Sequence, residues 1–410
     1  MRNGLVRGVA GAAMMAAVMM VGGCTSEMGS GAGMGRMGMG QDRVAVVALD
    51  RHMVLENGAT VVDKNAPASD GAAVVTIGPG GVKMVAEIDG VPASVIGPPL
   101  SVAVNKEGTL ALVTACMKVD PNDRTKQTDD NRVSVIDLTA KPPRVIQTVE
   151  AGKGPAGISL NSAGTLALVA NRGEGSVSVL AVEGKQVTNV GKVEVGNAAS
   201  ALGQVVFTPD GKRALVARDG DNLVSMLNVE GQKVTVAGRD IRTGLRPYAL
   251  DVTADGALAV AGNVGMGNGD VDTISVIDLQ ANPPRLVELA KVPMTPEGMK
   301  ISPDGKYVAV GSQDGSNKPK ESPFYRDHGT LTLFRIEGRG AGTKLVKVAT
   351  APIGHWSQGI AFSADGRTIV VTNMVEQELQ VFSFDGWRLK DTGERVHVKG
   401  GPVAIRVAGE

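Results

Sequence analysis

The stretch SQGIAFSADGRTIVVTN at 357–373 is an apolar strand, a turn closed by Gly366 and a second apolar strand. The same sentence is written five more times upstream: PLSVAVNKEGTLALVTA (99–115), PAGISLNSAGTLALVAN (155–171), LGQVVFTPDGKRALVAR (202–218), PYALDVTADGALAVAGN (247–263) and PEGMKISPDGKYVAVGS (296–312). The closing glycines are Gly108, Gly164, Gly211, Gly256, Gly305 and Gly366, spaced by 56, 47, 45, 49 and 61 residues. A third strand follows in each unit, such as RVSVIDL (132–138) or TISVIDL (273–279), and then a fourth, such as RVIQTVEAG or RLVELAKVP. Four-strand units at such periods predict the blades of a propeller, because one blade alone cannot bury both of its faces.

Six units are complete, and the two ends of the chain supply a seventh. GPVAIRVAGE (401–410) matches a first strand, while AAVVTI (72–77) and VKMVAEID (82–89) match third and fourth strands. Residues 44–63 must then hold the missing second strand, read as VAVVAL (44–49), with His52 to Asp63 fitting the repeat poorly. The expected architecture is all-β: a seven-bladed β-propeller over 44–410, of four-stranded antiparallel blades, closed by pairing the C-terminal strand with the N-terminal blade. Closure of this kind leaves no open sheet edge.

The units resemble YVTN-type propeller repeats, similar to P-x-G-I-A-x-S-P-D-G-x-x-x-Y-V-T-N, with 357–373 and 155–171 nearest to that pattern. The resemblance covers about residues 72–410 and implies the lactonase-like propeller superfamily. Its phosphogluconolactonase-like branch carries an Arg-His pair just after the repeat proline. Here those positions read Leu100-Ser101, Ala156-Gly157, Gly203-Gln204, Tyr248-Ala249, Glu297-Gly298, Gln358-Gly359 and Val403-Ala404.

Before the repeat, residues 1–23 read as a lipoprotein signal peptide. Arg2 and Arg7 precede an apolar stretch, Val9 to Val21, that is short for a spanning helix, and VGGC at 21–24 resembles a bacterial lipobox with Cys24 as the lipidated residue. Thr25 after it favours the outer membrane, so the expected location is the cell envelope, with the membrane as a partner through the Cys24 lipid. Residues 24–43 form a Gly/Met-rich tether. Met28, Met34, Met37 and Met39 within it are soft donors suited to Cu(I), against the plainer reading of a Met/Gly linker.

The composition removes several functions. Forty-two basic residues balance 42 acidic ones, so no electrostatic footprint for nucleic acid exists in bulk. Eleven aromatics in 410 residues argue against base-stacking platforms. Two cysteines give no disulfide framework, and Cys116, at the end of an apolar strand with no marked His partner, reads as an inert thiol.

Blade topology assigns faces. The connections into each first strand and from each second to third strand share the channel-mouth face, with the glycine turns opposite. Two second-to-third connections are long, 116–131 and 313–329, and a smaller one spans 264–272; long loops on a rigid scaffold are where binding concentrates. The expected ligand set at the mouth is Gln204, Tyr248, Trp356, Gln358, Asn171, Arg218, Asn263, Asn373, Tyr325 and His328. His355, Glu297 and Arg246 are the candidate catalytic trio, as base or acid with an anion-holding or carbonyl-polarising arginine. Asp120, Asp123, Asp129 and Asp130 offer hard oxygen ligands that could take Ca²⁺, against a solvated acidic loop, and no metal is assigned. Two functions remain: a noncatalytic lipid-anchored module that binds an envelope protein or a small molecule at its mouth, or a lactonase-type hydrolase or isomerase acting there. Fold alone licenses neither.

Overall fold

The computed structural model describes residues 41–67 and 69–410; the expected signal peptide, with Cys24, and the expected tether, with its methionines, lie outside the described residues. Seven sheets of mainly four antiparallel strands are arranged as a propeller. Blade 1 runs from Val102–Val104 to Arg144–Glu150, blade 2 from Pro155–Leu160 to Gln186–Glu194, and blade 3 from Leu202–Phe207 to Lys233–Val236. Blade 4 spans Pro247–Val252 to Arg285–Val292, blade 5 Pro296–Ile301 to Lys344–Ile353, and blade 6 Ser357–Phe362 to Leu389–His397. Blade 7 takes its innermost strand, Gly401–Val407, from the C-terminal end and its other three, Arg43–Asp50, Gly71–Gly78 and Gly81–Asp89, from the N-terminal side. The closing pair is antiparallel, with Ala45 opposite Val407 and Val47 opposite Ile405.

The repeat's polar letters make its turns. In blade 4, Thr253 Oγ1 donates to Asp255 at 2.6 Å and accepts the Leu258 N–H at 3.0 Å, and Gly256 closes the turn at φ +70°, where a side chain would strain the backbone. Ser302 with Asp304 and Ser363 with Asp365 repeat the device. The apolar letters fill the spaces between blades: Ile158 packs with Leu112 and Val135 of blade 1, and Met299 with Val260 and Val276 of blade 4. Inner strands approach one another closely because glycine stands where they meet; a Cβ on Gly298 would lie 2.1 Å from the Gln358 carbonyl oxygen.

The segment that fits the repeat poorly forms its own hairpin, Met53–Glu56 with Ala59–Val62, inserted between the second and third strands of blade 7 and so on the mouth face. The long 116–131 connection also carries a small hairpin, Met117–Val119 with Gln127–Asp129. No helix among the described residues is long and apolar enough to cross a membrane.

Candidate functional site

Each inner strand is entered through one residue with left-handed backbone in five consecutive blades: Gly154 (φ 64°), Ala201 (φ 46°), Arg246 (φ 60°), Thr295 (φ 58°) and Trp356 (φ 49°). Glycine adopts this conformation freely, whereas the branched Thr295 pays for it, on the order of 1–2 kcal/mol. Three of the non-glycine residues at this position, Arg246, Thr295 and Trp356, line two adjoining hollows at the channel mouth, of about 220 and 310 Å³. The hollows share Arg172, Tyr248, Thr295, Glu297 and Asn317. The hairpin roofs the larger one with Leu55, Gly58 and Thr60, and its tip at Gly58 lies against Pro319 of the 313–329 loop.

Charge inside the site is organised around Asp219. Its buried carboxylate accepts from Arg172 Nη2 at 2.6 Å and from Arg246 Nε at 2.7 Å, so one anion fixes two guanidinium groups. Arg172 also lies over the Tyr248 ring, 5.6 Å from its centroid, and burial pushes the Tyr248 hydroxyl up from its usual range. Lys318 approaches the smaller hollow from the long loop. Opposite these cations stands Glu297. Burial pushes its carboxyl up to about 7, against the lowering influence of the Gln358 and Gln313 amides that donate to it and of Arg246. Gln313 Oε1, Gln358 Oε1 and Asn317 Oδ1 are buried with no partner among the described residues. The arrangement offers fixed cations, free acceptors and one carboxyl that changes charge near neutrality.

Of the sequence-based trio, the structure brings Arg246 and Glu297 to the same cavity and leaves His355 out. The His355 ring is turned to Glu376, with Nδ1 2.6 Å from Oε1, and its backbone N–H donates to the same carboxylate at 3.0 Å. Tyr248 and Trp356 line the larger hollow, Gln358 is buried behind it and donates to Glu297, and Gln204 is buried in the inner strand of blade 3 with Oε1 unpartnered. Four other residues leave the ligand set because their side chains are consumed inside the blades. Asn171 bonds Ser176 and Ser178, Asn263 bonds Thr273 and Ser275, and Asn373 bonds Gln380 and Ser357. Arg218 does the same work in blade 3, reaching Ser225 at 3.3 Å and Asp240 at 3.1 Å. Tyr325 bonds Asp327 and lines a separate groove between blades 4 and 5, and the exposed His328 holds the Gly329 carbonyl.

The acidic loop does not gather a cation site. Asp120 accepts the Asn122 N–H, Asp123 pairs with Lys126, Asp129 with Lys153 and Asp130 with Arg132. Cys116 is buried against the Gly154 carbonyl, and burial pushes its thiol up to about 12, far from a reactive thiolate. Two hollows larger than the mouth cavity, about 680 and 540 Å³, are open grooves on the rim. The first is walled by charges already paired, Lys153 with Asp129 and Lys192 with Glu174. The mouth is the better site because its acceptors are buried and unspent.

Sequence reasoning missed Arg172 and Asp219, which sit one residue beyond the second-strand ends Asn171 and Arg218 chosen for the ligand set, and Gln313, which follows the unchosen strand end Ser312. Neighbouring strand residues point to opposite sides, so a one-residue offset exchanges an intra-blade bond for the mouth. It also missed Thr295, Asn317, Lys318 and the hairpin, whose sequence carries no repeat signal.

No family model matches the sequence, and no curated protein matches it either. Solved structures do. The periplasmic gluconolactonase of Pseudomonas aeruginosa aligns over 90% of this chain and 99% of its own, at 20% identity and a TM-score of 0.65. A putative 6-phosphogluconolactonase from Bacteroides fragilis aligns over 89% and 98%, at 15% identity and a TM-score of 0.66. Hydrazine synthase from Kuenenia stuttgartiensis aligns over 71% and 78%, at 20% identity and a TM-score of 0.54. At these identities the likeness establishes architecture alone, and the protein is a seven-bladed β-propeller.

Proposed function

We propose that the protein is a cell-envelope propeller that binds a small polar ligand in the roofed cavity at its channel mouth. The observation that carries this reading is the pair of buried acceptors on Gln313 and Asn317, which line the cavity unpaired beside the Arg172–Asp219–Arg246 network. Buried polar groups without partners are costly unless a ligand or ordered water completes them. A thermal-shift screen of the purified protein against small sugar acids, sugar lactones and amino acids tests it, with Arg246→Met as the control. Stabilisation by one compound class, reduced at least tenfold in apparent affinity by Arg246→Met, is the expected result. Ligands that bind the variant and parent alike place the site elsewhere, and binding only to an envelope protein transfers the role to the outer loops.

One observation favours a second reading, hydrolysis of a lactone: the Glu297 carboxyl, near 7, is poised to take a proton from water, while Arg172 and Arg246 could polarise the ester carbonyl. Two of the structural neighbours bear lactonase names, which adds support of fold kind only. In this reading the base is Glu297, with His355 outside the cavity. Turnover of a lactone panel, reduced about 100-fold or more by Glu297→Gln, is what hydrolysis requires; no turnover by the parent protein leaves binding alone.

The envelope location rests on the lipobox resemblance at Cys24 and is in keeping with the periplasmic neighbour. Lipidation at Cys24, with Thr25 directing the protein to the outer membrane, predicts that Cys24→Ser moves it from the membrane to the soluble fraction and abolishes palmitate labelling. Labelling that survives the substitution would exclude Cys24 as the acceptor.

A further inference from the structure

At one position of the inner-strand repeat the seven blades carry Ala103, Ser159, Val206, Asp251, Lys300, Ala361 and Arg406. Four of them are small or apolar, so the fold does not require charge there. Lys300 is well supplied, with Asp251 at 3.1 Å and Glu410 at 3.6 Å. The second of these contacts crosses from blade 5 to the chain just after the inner strand of blade 7, where Arg406 lies.

Arg406 is the anomaly. It is 8% exposed, and its Nη1 is buried with no hydrogen-bond partner among the described residues. The two carboxylates that pair with Lys300, Asp251 and Glu410, form no ion pair with Arg406 among the described residues. A guanidinium cannot shed its proton as a buried lysine can, so its charge stays in a setting where an unpaired ion is strongly disfavoured.

We infer that Arg406 holds a single small monovalent anion of the chloride class against the inner strand of blade 7. The near-complete burial of Arg406 limits the guest to a few atoms, and the Asp251 and Glu410 carboxylates that pair with Lys300 disfavour a divalent anion such as sulfate. The site is separate from the mouth cavity: none of Asp251, Lys300, Arg406 or Glu410 lines that cavity.

Bromide is the probe. Crystals of the protein soaked in sodium bromide are expected to show an anomalous peak at hydrogen-bond distance from the Arg406 guanidinium. In solution, bromide should raise the melting temperature above that in fluoride of equal ionic strength by about 1–3 °C. Arg406→Met, which keeps the apolar stem, should remove that difference. A map with only water or nothing at the guanidinium overturns the inference, as does a bromide effect undiminished in Arg406→Met. If the variant fails to fold, the anomalous map of the unaltered protein decides.

Discussion

Glu297 is a carboxylic acid that the first-strand position of blade 5 delivers to the mouth, and its proton links stability to chemistry in opposite directions. Its folded value, about 7, lies above the ordinary 4.5, so between those pH values the native state binds more protons than the unfolded one. Stability therefore falls as pH rises through that window, by on the order of 3 kcal/mol in all if the unfolded value is ordinary. Glu297→Gln should flatten this slope in urea titrations run from pH 4.5 to 8, and an unchanged slope would assign it to other groups. If Glu297 is also the base, turnover by the parent protein rises with pH through a midpoint near 7, because only the carboxylate accepts a proton. Thr295 supplies a second prediction at this scale. A branched side chain at φ 58° is replaced without backbone strain by glycine, so Thr295→Gly should stabilise the fold by about 0.5–1 kcal/mol in denaturant titrations while widening the cavity. A loss of stability would mean that its packing outweighs the strain. These residues also show where sequence reading stops. Glu297, Arg246, Tyr248 and Trp356 were legible because they break the small-residue habit of their repeat positions. Asn171, Asn263 and His355 misled because a sequence places a residue on a face but does not say which way its side chain turns.

The element that closes the mouth is the 53–62 hairpin, and its footing is a knot of three side chains. Buried Asp50 accepts the His52, Met53 and Val95 N–H groups, Asp70 accepts those of Arg51 and Ala93, and His52 Nδ1 lies 2.5 Å from Asp70. Burial and the neighbouring Asp70 push Asp50 up to about 6, and the Asp70 hydrogen bond raises His52 above 6.5. The His52 contribution is fully present below 6.5 and is lost as pH rises through the raised folded value. Asp70→Ala removes the anion that orders both strand connections, leaving two loop N–H groups without their acceptor, at a cost of about 1–3 kcal/mol. Amide exchange across 53–62 should then accelerate tenfold or more at pH 6, with the blades unaffected; unchanged exchange would show that the Leu55 and Val62 packing holds the hairpin alone. The blades were readable because each repeats its neighbours. This hairpin has nothing to be compared with, and its Asp50, His52 and Asp70 meet only after 20 residues of chain have looped back.

At the scale of the whole molecule, the ring is held shut by one strand pair. Six registered residue pairs join Gly401–Val407 to Arg43–Asp50, and they unite chain ends more than 350 residues apart. Each blade packs on its two neighbours, so closure turns a row of additive units into a cooperative ring, whereas an opened ring leaves blade 7 with three strands and a bare edge. The edge is dangerous in a particular way: Ala45, Val47 and Leu49 are wholly buried, and loss of the partner strand bares the apolar surface around them together with unpaired backbone groups. A chain ending at residue 400 should melt in more than one step and associate at micromolar concentration, whereas the parent should melt in one step without such association. The free edge should also be a receptor. A peptide of residues 399–410 supplied in trans re-forms the same antiparallel register by strand addition, and it should restore the single transition and suppress association. Calorimetry and light scattering read both effects. A truncated chain that remains monomeric with its melting temperature unchanged would show that blade-to-blade packing suffices without the closing strand.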